Sequence, residues 1–403
     1  MAITVLAVGL FVFAAYFFKA VFDKTGVPDV LLLIVCGILI GPVFGYVSPA
    51  SFGQAGSVLA TLALVVILFE SGTDLDLASL RPSLSATLKI TLSTFAVTAV
   101  IATGVGMTMA DLPGMSALML GAILAGTSSA VVIPLVQSLD VQGKARTILI
   151  LESALTDVLC IVGLFMLIET AKKGATSPAH IVFTLIETFV VAALIGVLAG
   201  AGWLMTLRKV RRLRHGGYAS AAMCFILYGV TELAGFSGAI TAISFGVVLA
   251  NGRHFAAATH VIRPGRLAAF SSREHAFLQE MIFVLKTFFF VYLGISMRLD
   301  DHSAFLIGGV IVGLVYFSRH AIAGALCDRD MPGEHVALTA LMVPKGLAAA
   351  VLAALPQQFG ICGGEKIQSI AYAVVLLSIT LTALLIALQR VDFVKAAYVR
   401  LYR

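Results

Sequence analysis

Leu151-Glu152-Ser153-Ala154-Leu155-Thr156-Asp157-Val158-Leu159 lies inside an apolar segment that runs from Ile148 to Ile168. A carboxylate at bilayer depth costs roughly 2.5–3.5 kcal/mol on insertion scales, so an acid kept there marks a functional position. Here two acids, Glu152 and Asp157, fall within about a turn and a half of one helix. A third intramembrane charge, Lys345, sits in a segment interrupted by Pro344 and Gly346. Two acids, one base and a broken helix describe an ion or proton pathway rather than a soluble active site.

The rest of the chain agrees. It is 60% hydrophobic and 12% charged, with a mean hydropathy of +1.04. Globular chains carry about 25% charged residues, so the composition excludes an ordinary soluble domain and indicates an all-α polytopic membrane protein. Runs of about 20 apolar residues give thirteen expected transmembrane helices, at 3–22, 28–46, 56–72, 83–109, 115–139, 146–168, 180–207, 217–235, 238–252, 276–298, 303–323, 333–356 and 366–389. Met1–Phe18 carries no positive residue, so the first segment reads as a retained helix with its N-terminus outside. That register places twenty-one of the 27 Lys and Arg on the cytoplasmic side, Arg319 among them, and four outside. Lys286 and Lys345 fall within the membrane. The asymmetry follows the positive-inside rule and sets the C-terminal tail in the cytoplasm of a cell (plasma or inner) membrane. The basic stretch Asn251–His275 reads as a cytoplasmic connector rather than a nucleic-acid site.

Thirteen segments divide as six, one and six, with the two sixes oppositely oriented as inverted repeats. Leu68-Phe69-Glu70-Ser71-Gly72 continuing to Leu75-Asp76 ends the third segment, and Phe290-Val291-Tyr292-Leu293-Gly294 continuing to Leu299-Asp300 ends the tenth. The fifth is interrupted at Gly126-Thr127-Ser128-Ser129 and the twelfth at Pro344-Lys345-Gly346. Interrupted helices at matching places in two halves point to a transport site.

On a helix Ser153 and Asp157 share a face, and Glu152 and Thr156 share another about 100° away. The two acids therefore do not compete for one cation. Asp157 and Ser153 are expected to face a cavity, and Glu152 to pair with Lys345 as a structural ion pair. Burial disfavours the charged form of a carboxylate, and one carboxylate holds a proton or a Na⁺ or K⁺ ion, not both. That competition suffices for coupled exchange. Glu70 and Asp74 read as membrane-edge residues, and Lys286 as a snorkelling or helix-interface charge. Cys36, Cys160, Cys224, Cys327 and Cys362 show no metal or disulfide spacing, and no cofactor is expected. Gly235-Phe236-Ser237-Gly238 matches the GxSG of intramembrane serine proteases, but its place between two close segments suits a tight turn.

These motifs resemble the monovalent cation–proton antiporter superfamily, in its sodium and potassium exchanger branches. Glu152 to Asp157 is similar to the family's ESxxND segment, and Leu68 to Asp76 to its LFxxGxxLD helix end. Phe289 to Gly294 is similar to the matching segment of the second half, and Lys345-Gly346 falls where exchangers place Arg-Gly. The resemblance implies a homodimer embedded in lipid, with an NhaA-like fold whose crossed, broken helices are the fifth and twelfth. It implies dimerisation (scaffold) helices over 1–80 and 216–300, a moving core over 81–170 and 301–403 including the short tail, and a linker helix over 171–215. It also implies elevator-type alternating access, with Asp157 as the essential ion-binding aspartate. Thr156 stands where relatives carry Asn or Asp, and a single acid there implies electroneutral one-for-one exchange. Thr127-Ser128-Ser129 replaces a Thr-Asp of many sodium exchangers and is closer to potassium-efflux relatives.

The expected function is exchange of H⁺ for Na⁺ or K⁺, with Asp157, Thr156, Ser153, Thr127 and Ser128 around the ion. The alternatives are a Na⁺-coupled symporter of an organic substrate on this fold and an intramembrane serine protease using Ser237 with His302 or His320.

Overall fold

An apolar segment in lipid satisfies its backbone hydrogen bonds internally only as a helix or within a closed barrel. The described residues of this chain take the helical solution. The computed structural model describes residues 2–74, 84–139, 141, 143–173, 178–210, 218–252, 272–327, 331–389 and 398. Its helices are α1 (Ala2–Thr25), α2 (Asp29–Ile38), α3 (Gly53–Asp74), α4 (Leu84–Met109), α5 (Gly114–Leu124) and α6 (Ser129–Ser138). They continue with α7 (Gly143–Lys173), α8 (Pro178–Val210), α9 (Ala219–Leu233), α10 (Gly238–Ala250) and α11 (Ser272–Ile295). The last four are α12 (His302–Leu326), α13 (Gly333–Leu341), α14 (Leu347–Gln358) and α15 (Gly364–Gln389). Leu75-Asp76, Arg81, most of the stretch Asn251–His275, Arg329 and most of the tail lie outside the described residues.

Every expected segment is occupied by helix, and the fifth and twelfth each hold two. Among the described residues seven helices, with α5 and α6 taken as one, are long and apolar enough to cross a membrane; five other apolar helices are 10–17 residues long. The regular structure among the described residues is all helical, and the protein is a multi-pass membrane protein.

The breaks have local causes. Pro344 has no N–H and biases the residue before it away from helical backbone, so α13 stops at Leu341. Ser128 takes an extended conformation (φ −71°, ψ 112°) and starts α6. Asp301 caps α12 by accepting from Ser303 Oγ at 2.6 Å and Ala304 N at 3.0 Å. Those two bonds hold its carboxyl below the usual carboxylate range.

The chain forms two compact units. One comprises Met1–Ser57, Ser83–Ile168 and Lys286–Arg403, and the other Val58–Pro82 and Glu169–Leu285. The first unit holds both broken helices. In it α4 packs on α5 and α12, and α15 packs on α12 and α14. α2 crosses the end of α11 at backbone distance: a Cβ on Gly294 would run into the carbonyl of Ile34, and one on Gly37 into that of Val291. Close helix approach of this kind replaces the missing hydrophobic drive between helices in lipid. Gly294→Val therefore forces α2 and α11 apart and destabilises the protein by about 1–3 kcal/mol, as overpacking does. Thermal unfolding in detergent measures it. In the second unit α10 packs on α8 and α9, Phe69 stacks on Phe245 with centroids 5.6 Å apart, and Thr241 Oγ1 donates to Ala192 O at 3.0 Å.

Two charges are placed differently from the sequence expectation, and one is explained. Arg319 is not a cytoplasmic flanking residue: it lies 1% exposed on α12. Glu152 does not pair with Lys345, because that arginine takes both its carboxylate oxygens. Lys286 lies partly buried 3.3 Å from Asp29 Oδ2 at the start of α2, which fits the helix-interface reading rather than the snorkelling one.

Candidate functional site

α7 is continuous through its two acids, so Glu152 and Asp157 point to different neighbours as their spacing requires. Glu152 Oε1 and Oε2 receive Arg319 Nη1 and Nη2 at 2.5 and 2.6 Å, and both side chains are 1% exposed. Arg319 also donates to Thr94 Oγ1 on α4 at 2.5 Å and to Thr339 O on α13 at 3.1 Å. A planar fork reaching a carboxylate in bidentate fashion suits burial better than an ammonium would. The pair thus ties α7, α12, α4 and α13 together and leaves Lys345 free of it.

Asp157 is 5% exposed. Its Oδ2 accepts from Ser129 Oγ at 2.7 Å, and the Ser129 N–H donates to the same carboxylate. Ser129 is the first residue of α6, so the acid sits on the positive end of a half-helix. Thr127 N donates to Thr156 Oγ1 at 3.0 Å, and that hydroxyl donates to Ser153 O at 3.2 Å. Gly126 leaves no room for a Cβ, which would meet Cys160 Sγ at 2.7 Å. The first break is thereby fastened along α7.

The second break lies against the first. Ser128 N donates to Pro344 O at 2.8 Å, and a Cβ on Gly346 would collide with Ser128 Oγ. The Lys345 ammonium, 2% exposed, donates to Gly126 O at 2.9 Å. The Lys345 N–H donates to Ser378 Oγ on α15 at 2.9 Å, and the Tyr316 hydroxyl reaches Ser378 O at 3.1 Å and Thr382 Oγ1.

The sequence-derived residues separate into three kinds. Ser153 Oγ is engaged with its own helix at Ile150 O, 2.9 Å away, and Thr156 braces the break. Asp157 faces the break through Ser129. Thr127 Oγ1 and Ser128 Oγ are buried with no hydrogen-bond partner among the described residues. An unmet buried hydroxyl costs about 1–3 kcal/mol; Thr87, Thr91, Thr231 and Ser296 share the property among the described residues, but only Thr127 and Ser128 are neighbours in unwound backbone.

Sequence reasoning missed Arg319 and the donor role of Ser129. Arg319 carried a usable signal, since it falls inside the apolar segment 303–323 just as Lys286 does inside its own. Ser237 is accounted for without chemistry: its side chain caps α10 by accepting from Ile240 N at 3.4 Å.

A family model described as sodium/hydrogen exchanger, transmembrane, matches residues 9–387. The chain belongs to the sodium/hydrogen exchanger family. This exchanger-family chain is 24% identical over 375 residues to the K(+)/H(+) antiporter NhaP2 of Shewanella oneidensis, covering 89% of itself and 61% of that protein. It is 23% identical over 350 residues to the probable Na(+)/H(+) antiporter 2 of Methanocaldococcus jannaschii, covering 82% and 79%. The chain therefore spans 61% of the length of the first curated relatives it matches. Its fold superimposes on the sodium proton antiporter MjNhaP1 of Methanocaldococcus jannaschii at pH 8 with a TM-score of 0.74 and 19% identity, over 95% of this chain and 99% of that one.

Proposed function

We propose that this protein is a secondary antiporter that exchanges H⁺ for Na⁺ or K⁺ at Asp157, electroneutrally and one for one. The observation that carries it is a buried acid, held by the N-terminal end of α6, beside the unpartnered hydroxyls of Thr127 and Ser128. A carboxylate on that half-helix end is stabilised without a dedicated counter-cation, so it stays available to a proton or an alkali ion. Unwound backbone at membrane depth is tolerable where it lines a cavity, and cation ligation is the use this backbone suits. The names of relatives on both the potassium and the sodium side support the class of exchange. Thr127 and Ser128 supply ligands to the ion, Thr156 and Ser153 shape the wall behind it, and the Glu152–Arg319 pair holds the core.

In this reading thirteen helices cross the membrane as two inverted repeats, with the N-terminus outside and the C-terminus in the cytoplasm of the cell membrane. The core of 81–170 and 301–403 moves as an elevator against scaffold helices over 1–80 and 216–300 that form a homodimer, and 171–215 links the halves.

The test uses proteoliposomes loaded with a pH-sensitive dye. Adding Na⁺ or K⁺ outside an acid-loaded vesicle should raise internal pH as protons leave against the cation. Cation uptake that moves no proton and requires an organic solute would instead establish the symporter alternative.

A further inference from the structure

Four buried threonines line one face of α4. Thr87, Thr91, Thr94 and Thr98 fall within about 60° of one another around the helix axis, and each is 1% exposed. Thr94 accepts from Arg319 Nη1. About one and two turns nearer the start of α4, Thr91 Oγ1 and Thr87 Oγ1 are buried with no hydrogen-bond partner among the described residues. A helical threonine can settle its hydroxyl on the carbonyl one turn back, and α4 does this at Thr108, which donates to Gly104 O at 2.8 Å. Thr87 and Thr91 do not. Arg319 is incomplete as well. A guanidinium has five N–H groups; four of them reach Thr339 O, Thr94 Oγ1 and the two oxygens of Glu152. The fifth has no acceptor among the described residues.

Orphaned polar groups in a membrane core are costly, and three of them along about 10 Å of one helix face call for a common ligand. The four threonines bring no carboxylate to this face, and the fixed charge of Arg319 repels a cation. Water both donates and accepts, and it needs two to four polar partners. Past Arg319 the next buried residue of α12, which packs on α4, is Ala323, a small side chain with no polar atom of its own. We infer that the threonine face of α4 is a water-binding site: a short file of water lies along Thr87 and Thr91 and ends on the remaining N–H of Arg319. The Glu152–Arg319 brace is then hydrated from α4, and the hydroxyls that no protein group meets are met by solvent. This site lies apart from the exchange reading and holds whichever ion is carried.

Radiolytic footprinting reads the file directly, because hydroxyl radicals made from bound water oxidise the side chains beside it. Ile90 lies between the two threonines in the chain and is 0% exposed. In purified protein given a brief X-ray pulse it should be oxidised severalfold more than Ile34, which is 0% exposed in the close crossing of α2 and α11. Thr87→Val with Thr91→Val removes both hydroxyls at similar shape; it should bring Ile90 down to the level of Ile34 and lower the thermal midpoint by a few degrees. Thr87→Ser with Thr91→Ser keeps the hydroxyls and should keep the oxidation. A dry seam gives the opposite shift, since deleting two unmet hydroxyls raises the midpoint. Should the valine pair not purify as a folded protein, the comparison of Ile90 with Ile34 in wild type decides alone. Equal oxidation of the two isoleucines, or a midpoint unchanged or raised in the valine pair, would overturn the inference. Neither readout involves transport, so failure of the antiporter reading leaves the water site standing, and the reverse.

Discussion

Glu152→Gln is expected to destabilise the protein by about 3–5 kcal/mol, the usual cost of removing one partner of a buried ion pair. The reason lies in what remains. Arg319 cannot lose its proton and stays charged, and at 1% exposure it is shielded from bulk solvent. Its guanidinium would keep one amide oxygen, Thr94 Oγ1 and Thr339 O as acceptors but lose its balancing negative charge and one acceptor of the fork. Arg319→Met should cost a similar amount, because it strands the Glu152 carboxylate in the same place. The double substitution Glu152→Leu with Arg319→Met should recover much of the loss, since an apolar pair of similar volume removes both desolvation penalties. Thermal unfolding in detergent, arranged as a double-mutant cycle, gives the coupling. If Glu152→Gln unfolds with wild type, or if the double variant loses the sum of the singles, the pair is not the brace described.

Asp157→Asn should abolish exchange while leaving the fold intact. The amide keeps the volume and can still accept from Ser129, so the start of α6 is preserved. It neither takes up a proton nor neutralises an alkali ion. In dye-loaded vesicles the cation-driven alkalinisation should fall at least about a hundredfold, the range seen when one positioned electrostatic group is removed from a reacting centre. Thermal stability should change by far less than in Glu152→Gln. The two acids of one helix thereby separate: loss of Glu152 shows in unfolding, loss of Asp157 in transport.

The positions of the breaks were legible in the sequence because their causes are local. Pro344 ends α13 and the Gly126-Thr127-Ser128 run ends α5, whatever packs around them. The divergence of Glu152 from Asp157 was legible for the same reason, since five residues on a continuous helix fix the angle between them. The partner of Glu152 was not. Choosing Arg319 over Lys345 depends on which helices lie beside α7, and apolar patterning that is almost uniform around each helix does not encode its neighbours. Arg319 was also disguised by topology, because a basic residue near a helix end expected on the cytoplasmic side satisfies the positive-inside rule without being buried. Lys345 is buried, but the carboxylate partner expected for it is absent, because its partner is a main-chain carbonyl that no side-chain pattern reveals. The Lys286–Asp29 contact, 257 residues apart in the chain, was hidden in the same way.

The claim that one buried carboxylate serves proton and alkali ion in turn is tested most directly by counting protons released as the cation binds. Purified protein in weak buffer, at a pH where Asp157 is protonated before loading, is titrated with Na⁺ or K⁺ while proton release and cation binding are followed together. Wild type should release one proton per cation bound, with an apparent cation affinity that falls as the solution is made more acid, and Asp157→Asn should release none. Cation binding to wild type with no accompanying proton release would contradict it.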